Sequence, residues 1–352
     1  MSAYDTIVIK IGSSTLTNSS GKLDITNLQR LVREISELKK KVIIVTSGSV
    51  VTGSERLGFN GKPKTIPQKQ AAAAVGQSIL MRQYEKAFEE FHKPVAQILL
   101  TRDAIADRER YLNTRNTITT LLEEGVVPIV NENDTVAVEE IKVGDNDTLS
   151  ALVASLIGAD LLVLLTDIDG FYMDSEEGVS YKVDYIDEIT KEIENAAGHP
   201  STQLGTGGMV TKLQAAKICT DAGIPVVIAH GRTEGLLSKI VSEEKVGTFF
   251  KPRASKLESR KRWLAHGLKV EGSIIIDEGA VSALKKNGTS LLPVGVKRVN
   301  GCFKIGDLVS IFDEHKKEIA RGIASLTSEE IDKFKGKKDI GEVIHRDDLL
   351  VL

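Results

Sequence analysis

Six short runs rich in β-branched residues alternate with helical patterns over the first two thirds of the chain: TIVIKI (6–11), KVIIVTS (41–47), VAQILLT (95–101), VVPIV (126–130), LLVLLT (161–166) and IPVVIA (224–229). Continuous apolar runs of this length suit strands buried on both faces, and their alternation with helices is the pattern of a mainly parallel sheet. Between the first two runs, Leu28, Leu31, Val32, Ile35 and Leu38 recur at the spacing of one helical face. The expected fold is a three-layer αβα sandwich. In such open sheets ligands bind beyond the carboxyl ends of the strands, so the residues that follow each run become the first candidates for a site.

The pattern changes near residue 250. KPRASKLESRKRW (251–263) holds six basic residues against one acidic and reads as a connector. Beyond it, short strand-like pieces, SIIID (273–277), DLVSIF (307–312) and EIARGIA (318–324), are punctuated by glycines, with one amphipathic helix expected around Ala280–Lys286. The domain division predicted is 1–252, a basic linker over 253–267, and a small β-rich domain over 268–352.

Charge and hydropathy exclude several classes. A net charge of −3 gives no global attraction to nucleic acid or anionic membranes. No apolar run reaches the roughly 18 residues of a membrane-spanning helix, and the start, MSAYDTIVIKIG, lacks the uninterrupted apolar core of a signal peptide, so a cytoplasmic location is expected. Cys219 and Cys302 make neither a metal motif nor a disulfide framework, and both are expected to be buried thiols. The six histidines show no ligand spacing.

Three strand ends carry glycine with neighbouring hydroxyls or a lysine: KIGSST (10–15), TSGSV (46–50) and GTGGMVTK (205–212). Turns of this kind expose backbone N–H groups to an anion. The third is not a P-loop, because no glycine directly precedes Lys212, and no GxGxxG follows the first strand. Each turn alone is weak evidence, but three on one sheet with Lys10 and Lys212 suit phosphoryl transfer, whose charge must be neutralised by lysines, N–H groups and Mg²⁺.

The stretch IKVGDNDTLSALVASLIG (141–158) sets Asp145, Asn146 and Asp147 before an apolar helical face formed by Leu149, Leu152, Val153, Leu156 and Ile157. A helix needs one N-cap, which Asp147 could supply, and the other two residues form either a polar turn or a binding site. Taken alone, these residue types favour the turn.

Together, IKIGSSTLT, IVTSGSV, LLTRD, IVNENDTVAVEEIKVGDNDTLSALVA, LLTDIDGFY and LGTGGMVTKLQAA resemble the amino acid kinase family from residue 6 to about 252, and NENDTV with KVGDNDTLSA resembles the branch whose acceptor is glutamate. GSIIIDEGA, GTSLLPVGV and VIHRDDL resemble the PUA domain that follows the kinase domain in many such enzymes. The resemblance implies ATP-dependent phosphorylation of the γ-carboxylate of L-glutamate, as the first step of proline synthesis, with Mg²⁺ accompanying ATP, proline as an inhibitor at or beside the glutamate site, and a dimer or tetramer.

It also implies roles. Lys10 and Lys212 would be the catalytic lysines, with Asp147 organising them. Ser47, Gly48, Asp134, Asp145 and Asn146 would hold the amino-acid substrate, which displaces the turn reading of the acidic stretch. Lys10, Gly12, Thr166, Asp167, Thr206, Gly207, Gly208, Met209 and Lys212 would face ATP. Val210 departs from the small polar residue usual at its position, but phosphates there are held mainly by backbone N–H groups, so the site is expected to survive. A carboxylate acceptor is already ionised at neutral pH, so no general base is required. The rivals are a sibling kinase with another acceptor and an RNA-binding role through the PUA domain. Residues 267–352 carry 14 basic and 14 acidic residues, which disfavours phosphate-backbone binding as the main function.

Overall fold

A computed structural model describes residues 4–59, 63–101, 108–136, 146–175, 179–198, 208–253, 270–287, 289–337 and 341–352. The chain divides into two compact units. One holds the described residues up to Arg253 other than 108–112; the second holds 108–112 with those from Val270 onward.

All six expected strands form, as β1 (Thr6–Ile11), β2 (Lys41–Thr46), β3 (Val95–Leu100), β4 (Val127–Glu132), β5 (Leu161–Thr166) and β9 (Val226–His230). With β8 (Tyr185–Ile186) and β10 (Thr248–Phe250) they build one sheet in the order β3-β4-β2-β1-β5-β9-β10-β8. Its pairings are parallel except for β9 with β10. The chain runs outward from β1 through β2 on one side and from β5 through β9 on the other. The β1/β5 boundary is therefore the point where strand order reverses, and a crevice for ligands is expected at the carboxyl ends there. β6 (Phe171–Asp174) and β7 (Ser180–Val183) form a separate hairpin.

Strand periodicity decides which side chains meet which helices. Ile7, Ile9 and Ile11 of β1 share a core with Leu28, Leu31, Val32 and Ile35, the apolar face of helix Ile25–Glu37. Asp24 caps that helix by accepting from the Asn27 N–H at 3.1 Å. Val8 and Lys10 alternate with those isoleucines and so project to the opposite face. On that face, helix Asn146–Ile157 packs against β1 and β5 and buries Leu149, Val153 and Leu156.

The second unit is a five-stranded sheet ordered β12-β11-β13-β14-β15: β11 Val270–Ile276, β12 Val296–Asn300, β13 Leu308–Phe312, β14 Glu318–Ile323 and β15 Leu349–Val351. Helix Glu278–Asn287 covers the expected Ala280–Lys286, and helix Ser328–Phe334 begins with a Thr327/Glu330 capping box. Ile274, Ile276, Leu284, Phe303, Val309, Ile311 and Ile331 form its apolar core.

One expectation is corrected. Cys219 is buried, but Cys302 is exposed: in the loop after β12 it is the next residue, Phe303, that turns into the core. Of the basic linker, only Arg253 lies among the described residues, where its guanidinium bridges Asp221 at 3.0 Å and Glu188 at 2.9 Å.

Candidate functional site

Lys10, Asp147 and Lys212 meet although they are far apart in sequence. Lys10 reaches the site from β1, Asp147 from the first turn of helix Asn146–Ile157, and Lys212 from helix Gly208–Asp221. The Lys10 Nζ lies 2.5 Å from Asp147 Oδ1, and the Lys212 Nζ lies 3.1 Å from Oδ2. The Thr211 hydroxyl donates to the same Oδ2 at 3.0 Å, and the Lys212 ammonium also donates to the Gly208 carbonyl at 3.0 Å. Asp147 is therefore an ion-pair partner rather than the simple cap its position allows.

These three are the only charged residues buried among the described ones, at 4% (Lys10), 0% (Asp147) and 7% (Lys212) exposure. A buried charge is costly unless paired. Two ammonium groups share one carboxylate.

Beside it opens a cavity of about 410 Å³ lined by Lys10, Ser47, Gly48, Ser49, Asn131, Asp134 and Asn146 among others. Gly48 has φ +100, a left-handed conformation that side-chain-bearing residues rarely adopt, and it precedes helix Ser49–Arg56. The Asn146 amide donates to the Thr46 carbonyl at 2.6 Å, Ser47 Oγ at 2.9 Å and Asn131 Oδ1 at 2.9 Å. Asn131 in turn donates to Gln77 Oε1 at 2.8 Å, which ties the network to helix Ile66–Glu89. Burial pushes the Asp134 carboxyl up from the ordinary aspartate range, while the nearby Lys69 charge and a hydrogen bond from Ser49 act in the other direction.

Helix Ile66–Glu89 is held against helix Ser49–Arg56 by glycine contacts. A Cβ on Gly53 would fall 1.7 Å from the Ala72 carbonyl oxygen, and one on Gly76 would fall 1.8 Å from the Ser49 oxygen. Neither position has room for a side chain, so backbone meets backbone and the Ser49 wall of the cavity is fixed.

The expected nucleotide side is partly described. Gly12 donates its N–H to the Leu165 carbonyl at 3.2 Å, which sets it next to the carboxyl end of β5. There Thr166 is buried and its hydroxyl donates to Asp167 at 3.0 Å. Gly208 and Met209 open the helix that carries Lys212. None of Thr166, Asp167, Gly208, Met209 and Lys212 lines the 410 Å³ cavity. Asp145, Thr206 and Gly207 lie outside the described residues.

Sequence reasoning missed Ser49, Lys69, Gln77, Asn131 and Thr211. Ser49 stands inside TSGSV, Asn131 inside IVNENDTV and Thr211 inside GTGGMVTK, so a signal was available for all three; Lys69 and Gln77 had none.

Comparison with known proteins agrees with this architecture. Residues 5–230 match the amino acid kinase family and residues 272–344 the PUA domain. A glutamate 5-kinase from Caldanaerobacter subterraneus subsp. tengcongensis is 49% identical, over 98% of this chain and 97% of its own. The glutamate 5-kinase of Moorella thermoacetica is 51% identical, over 98% and 96% respectively. Among solved structures, the carbamate kinase of Giardia lamblia bound to AMP-PNP shares the fold at TM-score 0.51 and 18% identity, covering 71% of this chain and 99% of that one. The chain belongs to the amino acid kinase family, and its full-length relatives within that family include these glutamate 5-kinases.

Proposed function

We infer that the protein transfers the γ-phosphoryl group of ATP to the γ-carboxylate of L-glutamate, giving γ-glutamyl phosphate. The observation that carries this reading is the buried Lys10–Asp147–Lys212 cluster bordering a cavity lined by both cations and anions. Whole-chain similarity to enzymes named glutamate 5-kinase supports the choice of acceptor.

The chemistry follows from charge. Donor and acceptor are both anionic, and little covalent work is asked of the protein beyond positioning and neutralisation. Lys10, whose ammonium borders the cavity, stabilises the phosphoryl group in flight. Lys212 serves the nucleotide phosphates, and Asp147 holds both ammonium groups at fixed separation, so the site is organised before substrate enters. Ser47, Gly48, Asp134 and Asn146 hold the amino acid. With its amide N–H groups committed to Thr46, Ser47 and Asn131, Asn146 keeps its carbonyl oxygen for a substrate donor. Gly12, Thr166, Asp167, Gly208 and Met209 line the approach of ATP; Thr206 and Gly207, with a role toward ATP, and Asp145, with one toward the acceptor, belong to the same reading but lie outside the described residues.

ATP would bring Mg²⁺, and the ion would supply positive charge against the phosphates. Mg²⁺ keeps several waters and takes few protein ligands beside phosphates, which suits a site where no three His, Cys, Asp or Glu side chains converge among the described residues. Proline inhibition at or beside the glutamate site, a homo-oligomer and a cytoplasmic location belong to the same reading. So does the division into 1–252, 253–267 and 268–352, supported by family matches that end at 230 and resume at 272. No described helix is long and apolar enough to cross a membrane.

The test is an ATP-dependent assay with hydroxylamine, which traps an acyl phosphate as a hydroxamate, across glutamate, aspartate, N-acetylglutamate and carbamate. Product is expected with glutamate alone. Equal or greater turnover of another acceptor would assign the protein to a sibling activity.

A further inference from the structure

The charges lining the cavity do not yet account for the whole acceptor. L-Glutamate carries an α-ammonium, a γ-carboxylate and an α-carboxylate. The described lining residues include two cations, Lys10 and Lys69, and two anions, Glu132 and Asp134. Lys10 is paired with Asp147 at the transfer end, and Asp134 suits the ammonium. Among the described lining residues Lys69 is then the cation left for the α-carboxylate, and an unpaired carboxylate is costly to desolvate.

We propose that Lys69 binds the α-carboxylate of the amino-acid acceptor and makes the site select for a free α-carboxylate. The proposal rests on glutamate being the acceptor.

The turn that carries Lys69 is held by the fold. It lies in the first turn of helix Ile66–Glu89, where the Lys69 N–H donates to the Thr65 carbonyl at 3.0 Å and the Thr65 hydroxyl caps Gln68. The same helix is locked to helix Ser49–Arg56 through Gly53 and Gly76, so its first turn is fixed relative to the Ser49 and Asp134 side of the cavity. The Lys69 charge already acts on the Asp134 carboxyl. Cation and carboxylate therefore stand near one another at one end of the cavity, as a zwitterionic α-carbon requires, with Lys10 serving the reacting end. Lys69 itself is exposed, so its ammonium stays hydrated until the substrate arrives and need not be buried beforehand.

The experiment compares L-glutamate with its α-carboxamide, which keeps the α-ammonium and the γ-carboxylate, in the hydroxamate assay, for the wild-type protein, Lys69→Met and Lys69→Arg. The wild type should favour glutamate by about 10- to 100-fold in kcat/KM, the range for hydrogen bonds to charged groups. Lys69→Met should erase that preference by raising the glutamate KM while the α-amide loses little, and Lys69→Arg should restore part of it. A Lys69→Met protein that loses both substrates equally would overturn the proposal, since Lys69 would then act only through Asp134 or the fold. So would unchanged discrimination with normal glutamate turnover. A wild-type protein that makes no hydroxamate from glutamate removes the acceptor reading itself, and this one with it.

Discussion

The two units treat buried polarity in opposite ways. In the first, Lys10, Asp147 and Lys212 are buried together at the carboxyl end of the sheet. In the second, the buried polar side chains among the described residues are Ser310 and Ser328, and the rest of the buried set is apolar. Ser310 donates to Glu318 at 2.7 Å, so even that hydroxyl has a partner. A fold gains nothing in stability from sinking three charges where apolar residues would pack. Desolvated charge in one unit and its absence in the other therefore separate a part of the molecule shaped by chemistry from a part shaped by packing.

The comparison breaks most sharply at the cluster. Lys10→Ala should lower kcat by roughly 10²-fold or more with little change in the KM for glutamate, because the proposed role of Lys10 is toward charge that develops during transfer. Asp147→Ala should lower kcat comparably and also destabilise the protein by about 3–5 kcal/mol, since it leaves two buried ammonium groups without their shared partner. The two changes should be non-additive in a steady-state double-mutant cycle, and additivity would mean that the three residues do not act as one unit.

At the amino-acid end the effects should be smaller and of a different kind. Asp134→Ala should raise the glutamate KM by about tenfold while kcat holds, because the α-ammonium is charged alike in ground and transition states. An unchanged KM in a folded variant would return Asp134 to a structural role.

The direction of the Asp134 shift sharpens this. Burial raises its pKa above the ordinary 3.8, so as pH falls the ammonium partner is lost before an ordinary aspartate would protonate. The glutamate KM should accordingly rise on the acid side above that value, and Asp134→Asn should abolish the limb. The sign for stability is the reverse. Between the unfolded and folded pKa values the native state holds more protons, so stability falls as pH rises through that window. At neutral pH Asp134→Asn should thus be neutral or stabilising in thermal melts, even as it impairs binding.

The smallest effect on turnover is expected from the packed unit. Phe303, buried in the C-terminal core, should cost that unit about 3–5 kcal/mol when replaced by alanine, with phosphorylation kinetics unchanged below its melting transition. A parallel loss of kcat in the folded variant would show that the second unit takes part in catalysis.

Much of this was legible in the chain. The six main strands could be placed because strands covered on both faces need unbroken apolar runs, and Lys10, Asp147 and Lys212 stood out as charge at strand and helix ends. β8 and β10 were missed because two- and three-residue strands carry no periodicity, and they exist only as partners across the sheet. Helix Ser328–Phe334 did leave a signal, the T-x-x-E capping box of Thr327 and Glu330. Cys302 was misjudged because residue type suggests burial on average, whereas which residue of a loop turns inward, here Phe303, is decided by the fold.

What the sequence determined by itself was local: where strands and helices form, which turns can present N–H groups, and that a chain with these motifs handles phosphate. Periodicity and capping act over a few residues, so they are written in a few residues. Whether Asp145, Asn146 and Asp147 make a turn or a site could not be decided at that range from the residues alone. Tertiary structure shows what the two described members touch: Asp147 pairs with lysines 137 residues before and 65 residues after it, and Asn146 bonds to Thr46 and Asn131. Lys69 joined the cavity wall, and Gln77 came to hold Asn131 from behind it, only where Gly53 and Gly76 let two helix backbones touch. Charge pairing and close packing are set by distance in space, and only the folded chain fixes that distance.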